Sequence, residues 1–104
     1  MLQSRRVFSS AALIAYARPG PHGLRVAVAV SRRVRGAVGR NQVRRRLRES
    51  ARAGLLQGGS TGQDLGMGYD VVVIGRPPAL EAGFEDLVAE MVAVRRRLGR
   101  LESR

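Results

Sequence analysis

A chain of 104 residues carries 19 basic side chains against 8 acidic ones, giving a formal charge of +11 and a pI near 11.9. That length allows one domain with a modest core, and the absence of cysteine excludes a disulfide framework and a thiolate metal site. No apolar run approaches the roughly 20 residues that span a bilayer, and Met1–Arg6 lacks the apolar stretch of a signal peptide. No membrane partner is therefore expected, and the default location is cytoplasmic. Every basic residue is arginine. The planar guanidinium fork suits phosphates and bases, although the total absence of lysine is read as genome composition. So large a charge repels itself, and a polyanionic partner relieves it.

In chain order, Val7 to Ala17 reads as a strand, rich in apolar and aromatic residues in its second half. Arg18-Pro19-Gly20-Pro21-His22-Gly23 is a turn, because two prolines and two glycines cannot continue a ladder. Leu24 to Ser31 alternates Leu24, Val26, Val28 and Val30 with Arg25, Ala27 and Ala29. Small residues on the second face imply a central strand covered on both sides, and the two runs are spaced to pair as a hairpin.

Between Ser31 and Arg52 stand nine arginines and a single acid, Glu49. Such a segment cannot enter a neutral core and must face solvent or a polyanion. A helix over about Ala37 to Ala53, with Gly54 near its end, gathers Asn41, Arg45, Arg48 and Arg52 within roughly 60° of one another. Val43, Leu47, Ala51 and Leu55 fall on a different face. One side therefore sits on a core and the other presents guanidinium groups.

Gln57 to Gly68 follows, with five glycines, and residues 58–68 are expected to form a flexible loop. It is not a phosphate-binding loop, since no Gly-Lys-Ser/Thr ending exists and no strand leads into it. Tyr69 to Ile74 reads as a third, buried strand, stopped by Gly75-Arg76-Pro77-Pro78. A closing helix runs from about Leu80 or Phe84 to Leu101, with Phe84, Leu87, Val88, Met91, Val94 and Leu98 at helical spacing. Its acids (Glu81, Glu85, Asp86, Glu90) precede its arginines (Arg95, Arg96, Arg97, Arg100), which complements the helix dipole without any functional role. A small sheet with helices segregated to one face, an α+β fold in a single domain over 1–104, satisfies these demands.

Catalytic chemistry is missing. His22, the only histidine, lies in the turn, and no acids are spaced as a two-carboxylate metal site. No catalytic and no metal-ligating residue is assigned. As a binder, the chain fits RNA better than DNA. A helix-turn-helix needs two adjacent helices, whereas a basic helix beside an exposed sheet offers a shape-reading surface and a single-strand groove. Tyr16 is the best base-stacking candidate, with a core role equally open.

The run Val30-Ser31-Arg32-Arg33-Val34, then Ala37-Val38-Gly39-Arg40-Asn41-Gln42-Val43-Arg44-Arg45-Arg46-Leu47-Arg48-Glu49, resembles the Arg-Asn-Arg signature of the bacterial ribonuclease P protein subunit. Downstream, Asp70-Val71-Val72-Val73-Ile74-Gly75-Arg76-Pro77-Pro78-Ala79 resembles the family's last strand and its stop, and the amphipathic closing helix corresponds too. The likeness covers about Arg5 to Leu98. Gln42 replaces the second arginine of the triplet, and Arg35-Gly36 stands where the family has Gly-Asn. The basic helix with which family members usually begin is also missing, since the chain opens almost directly at the first strand. The expectation is that a segment upstream of Met1 belongs to the protein and was lost through a misassigned start codon; the alternative is a naturally shortened member whose leader cleft is open.

The resemblance implies a left-handed βαβ crossover, unusual against the right-handed rule, in a fold like domain 2 of ribosomal protein S5. It also implies a function: joining a catalytic RNA in the holoenzyme that removes 5′ leaders from precursor tRNA. The chemistry would belong to the RNA and its Mg2+ ions, none held tightly by this chain. Arg40, Asn41, Arg44, Arg45 and Arg48 are then the expected catalytic-RNA contacts, with Arg32, Arg33 and Arg52 beside them, and Tyr16 lines the leader cleft. The competing readings are a structural RNA-binding protein of the ribosome or another ribonucleoprotein, and a stand-alone nuclease that lacks its acid and histidine constellation.

Overall fold

The computed structural model of the chain describes residues 5–20, 23–56 and 68–102, with side chains as far as Arg100. The first apolar run is two strands, β1 (Arg5–Ser9) and β2 (Leu13–Gly20), not one. Ser10 makes the break. Its Oγ accepts the backbone N–H groups of Ala12 and Leu13 at 3.1 and 3.2 Å and donates to Glu90 Oε1 at 2.6 Å. A hydroxyl that satisfies the turn's donors lets the chain reverse without glycine. β1 and β2 pair antiparallel with a bulge between Arg6 and Phe8.

β3 (Leu24–Val30) does not form the expected hairpin with β2. The last strand, β4 (Gly68–Gly75), inserts between them, so the sheet order is β1-β2-β4-β3. β4 runs antiparallel to β2 and parallel to β3. A parallel pair needs a crossover, and α1 (Ala37–Ala51) supplies it. β3 is thus an edge strand, with Arg25 and Ala27 exposed, rather than a central one.

The alternation of each strand decides which face the helices cover. Leu13, Ala15, Ala17, Tyr69, Val71 and Val73 are buried on one face, against Val43 and Leu47 of α1 and Leu87, Met91, Val94 and Leu98 of α2 (Phe84–Glu102). Burying each valine, leucine or methionine side chain among these contributes about 1.5–3 kcal/mol. β4 is therefore buried on one face only. Val72 keeps 38% of its surface exposed.

Two glycines permit the packing. A Cβ on Gly75 would collide with Val43 and Leu47, so the strand approaches α1 as closely as backbone allows. The helix does not close at Gly54 as expected. It widens into a π turn over Arg52–Leu56, where a Cβ on Gly54 would lie 2.6 Å from the Val88 carbonyl oxygen. The glycine serves close helix–helix approach instead of a cap. A 3-10 turn at Pro77–Leu80 leads to α2, which begins at Phe84. His22 and residues 57–67, nearly all of the expected flexible loop, lie outside the described residues; Gly68 is the first residue of β4.

Candidate nucleic-acid interface

α1 begins abruptly because Gly36, at φ +80°, turns the chain where other residues would be strained. The preceding loop is tied at several points. Ser31 N–H donates to Gly75 O at 2.8 Å, and Ser31 Oγ accepts Arg33 N–H at 3.1 Å. Val34, 2% exposed, plugs the loop into the core. Arg40 completes the tie: its Nη1 donates to the carbonyls of Ser31 and Val34, both at 3.2 Å. Arg32, Arg33 and Arg35 are held outward on this anchored loop, and Arg33 joins Ser31 and Arg76 in lining a depression beside Pro77 and Pro78.

Along α1 the angular arithmetic separates two sets of side chains. Val43, Leu47, Ser50 and Ala51 are buried. Asn41, Arg45, Arg48 and Arg52 are exposed on the far side. Asn41 Oδ1 accepts Arg44 Nη1 at 3.2 Å, which fixes a half-buried Arg44 beside the array. Arg45 Nε stands 3.5 Å from Glu49 Oε2, one turn on. Arg48 and Arg52 continue to the sheet edge, where with Val26, Val28 and Leu56 they line a groove along β3.

Arg40 lies apart from this array, at a helical angle between those of Leu47 and Ala51, with its guanidinium engaged by backbone. Arg46 is a residue that sequence reasoning missed. It donates through Nε to Ala79 O at 3.1 Å and through Nη2 to Ala82 O, joining α1 to the segment before α2. The only hint was its helical position, roughly 140° from Asn41 at 100° per residue, away from the array.

Tyr16 is half-buried on the sheet face opposite the helices, directly across from Val72 on β4 and Arg6 on β1. Ile14, Ile74, Ala27 and Ala29 share that face. Among the described residues no helix covers it. The buried tyrosine is Tyr69, 4% exposed. At one end of the open face stand Arg18 and Arg25, flanking Asp70. Among the described residues no three His, Cys, Asp or Glu side chains gather closely enough to hold a metal ion, and no helix is long and apolar enough to cross a membrane.

The sequence model of the Ribonuclease P family matches residues 1–99. The chain is 38% identical over 96 residues to the ribonuclease P protein component of Chloroflexus aggregans, covering 91% of this chain and 67% of that one. With the counterpart from Paramagnetospirillum magneticum it shares 35% identity over 104 residues, 94% and 74% of the two chains. The fold resembles the ribonuclease P protein of Thermotoga maritima, with a TM-score of 0.61 at 21% identity over 88% of this chain and 78% of that one. The Staphylococcus aureus protein gives 0.59 at 20% identity, over 86% and 73%. The chain belongs to the ribonuclease P protein family, the protein component of a ribonuclease of tRNA processing.

Proposed function

We propose that the chain binds the catalytic RNA of ribonuclease P and, within that complex, helps to remove 5′ leaders from precursor tRNA. One observation carries this reading. The helix that buries Val43 and Leu47 on the sheet turns Arg45, Arg48 and Arg52 to solvent, with Glu49 as the one acid along it. Aligned guanidinium groups on a rigid support bind phosphates, and the counterions released make the affinity salt-dependent.

Asn41, Arg45, Arg48 and Arg52 take the catalytic RNA, with Arg32 and Arg33 extending the contact along the anchored loop. Arg40 acts differently. Its guanidinium holds that loop in place, so its contribution to RNA binding passes through Arg32 and Arg33. Arg44, steadied by Asn41, adds charge at the border of the array. The open sheet face takes the leader as a single strand, with Tyr16 as the surface on which a base stacks.

Hydrolysis is assigned to the RNA. Magnesium ions bound mainly there would activate water and stabilise the leaving oxygen. The described residues of this chain offer no acidic cluster for such an ion, and their part is to bind and orient. The substrate implies a cytoplasmic location.

Reconstitution with catalytic RNA from the same source tests the reading. Protein with RNA should cleave precursor tRNA at magnesium concentrations where RNA alone is poor, and protein alone should not cleave. Magnesium-dependent cleavage by rigorously RNA-free protein would sink it.

A further inference from the structure

At the start of β4, on the open face of the sheet, Asp70 stands between two arginines. Arg18 on β2 and Arg25 on β3 are its direct cross-strand neighbours. Arg18 Nε lies 3.8 Å from Asp70 Oδ2, and Arg25 Nε lies 3.8 Å from Asp70 Oδ1. The arginine side chains are 51% and 63% exposed, against 26% for Asp70. Both contacts run through Nε, at the root of the fork, and more than half of each arginine side chain is exposed.

The carboxylate is seated, not merely nearby. It lies over Gly20, where an added Cβ would come within 2.8–3.0 Å of its atoms. Oδ1 is out of contact with solvent and accepts no hydrogen bond among the described residues. As a source of stability this is a poor arrangement. Exposed ion pairs contribute little, and a buried oxygen without a donor costs stability. Its effect is on position. Two strand spacings separate Arg18 from Arg25, roughly 10 Å, well within the Debye length of about 30 Å at low ionic strength, so without the acid between them the two cations repel at low salt.

We infer that Asp70 is a positioning residue which holds Arg18 and Arg25 side by side as a two-pronged clamp for the phosphate backbone of the single-stranded leader. The inference rests on the proposed reading of the open face as the leader site. It also carries an unusual sign. Replacing Asp70 by asparagine raises the formal charge from +11 to +12, so a diffuse attraction predicts tighter RNA binding. The clamp predicts weaker binding.

The test uses the holoenzyme reconstituted with catalytic RNA, on precursor tRNA carrying either a long leader or a single-nucleotide one. Asp70→Asn should raise KM for the long-leader substrate by roughly threefold to tenfold, the equivalent of one impaired charge-assisted contact, with kcat changing less. The salt dependence of long-leader binding should fall by about 0.7 in log–log slope for each phosphate released. Gly20→Ala displaces the carboxylate without changing any charge and should act in the same direction. That variant also decides the matter if Asp70→Asn fails to fold.

Glu81→Gln, on an exposed acid away from the sheet face, removes the same charge and serves as the comparison. The clamp is overturned if Asp70→Asn binds as tightly as Glu81→Gln, or if KM rises equally for both substrates. If the wild-type holoenzyme itself makes no distinction between long and single-nucleotide leaders, the leader reading fails and the clamp falls with it.

Discussion

The inward and outward sides of α1 use one residue type for opposite purposes. Bordering the buried stripe, about 120° apart around the helix, Arg46 and Arg40 give their guanidinium donors to backbone carbonyls of other segments, Ala79 and Ala82 for the first, Ser31 and Val34 for the second. On the outward side Arg45, Arg48 and Arg52 stand in solvent. The same division recurs elsewhere: Arg76 donates to Ser10 O at 2.7 Å, Arg97 to Val7 O at 3.1 Å and Arg95 to Leu55 O at 3.2 Å. Total charge therefore overstates the surface offered to a polyanion. What distinguishes a binding arginine from a structural one is whether the chain's own carbonyls have already used its donors.

The comparison is tested most severely from inside the helix. Leu47→Ala, at a fully buried position, should cost about 2–5 kcal/mol, a cavity penalty in a core this small. Thermal unfolding measures it. The folded fraction should keep the RNA affinity of wild type, because the outward face is unchanged.

Arg46→Ala comes next. Two hydrogen bonds from a charged donor to half-buried carbonyls are lost, leaving both acceptors partly unsatisfied, so stability should fall by about 1.5–3 kcal/mol. Its effect on RNA affinity should be small once measured below the lowered unfolding temperature. If affinity collapses while stability holds, the division between structural and binding arginines on α1 is wrong.

How much of this was legible in the sequence differs between the helix and the sheet. α1 and its two faces followed from the 100° rotation, because burial on a helix depends on residues a few positions apart. The partners of Arg46 did not, since they lie 33 and 36 residues away. The sheet misled for a similar reason. Alternation in Leu24–Val30 marks a strand and its faces but says nothing of which strand lies beside it. Adjacency in the chain suggested a hairpin, yet the crossover through α1 required β3 to pair in parallel with β4. Ala27 and Ala29 looked like the small residues of a covered face and instead border an open one. Ser10 hid a turn inside an apolar run because a hydroxyl replaced the usual glycine. For the site, the ordered motifs from Val30 to Glu49 and from Asp70 to Ala79 were sufficient to identify the family, although they could not show that Arg40 is engaged by backbone.

On the outward flank the effect should appear in binding and not in folding. Arg45→Ala with Arg48→Ala should leave stability within about 0.5 kcal/mol, as is usual for exposed substitutions. Affinity for the catalytic RNA should fall, and the log–log salt slope should flatten by roughly 0.7 to 0.9 for each phosphate contact removed. Arg96→Ala, exposed on α2, should do much less in the same filter-binding titration. Equal effects at all three positions would favour diffuse attraction over a built face.

The smallest expected effect is also the sharpest, because it contrasts two acids that each sit beside arginine. Glu49 pairs with Arg45 one turn away, with side chains 52% and 80% exposed. An exposed pair of this spacing contributes about 0.3–0.5 kcal/mol, so Glu49→Gln should barely move the unfolding temperature. Nothing seats its carboxylate, and Arg45 keeps its place on the helix without it. Removing the charge should then slightly tighten binding to the catalytic RNA, by releasing Arg45 and reducing repulsion of phosphate. Asp70, held over Gly20 between two strands, should show the opposite sign on the leader. Should both variants tighten binding, charge alone governs the RNA-facing surfaces. Should both weaken it, Glu49 also orients its arginine, and the outward face of α1 is more ordered than its exposure implies.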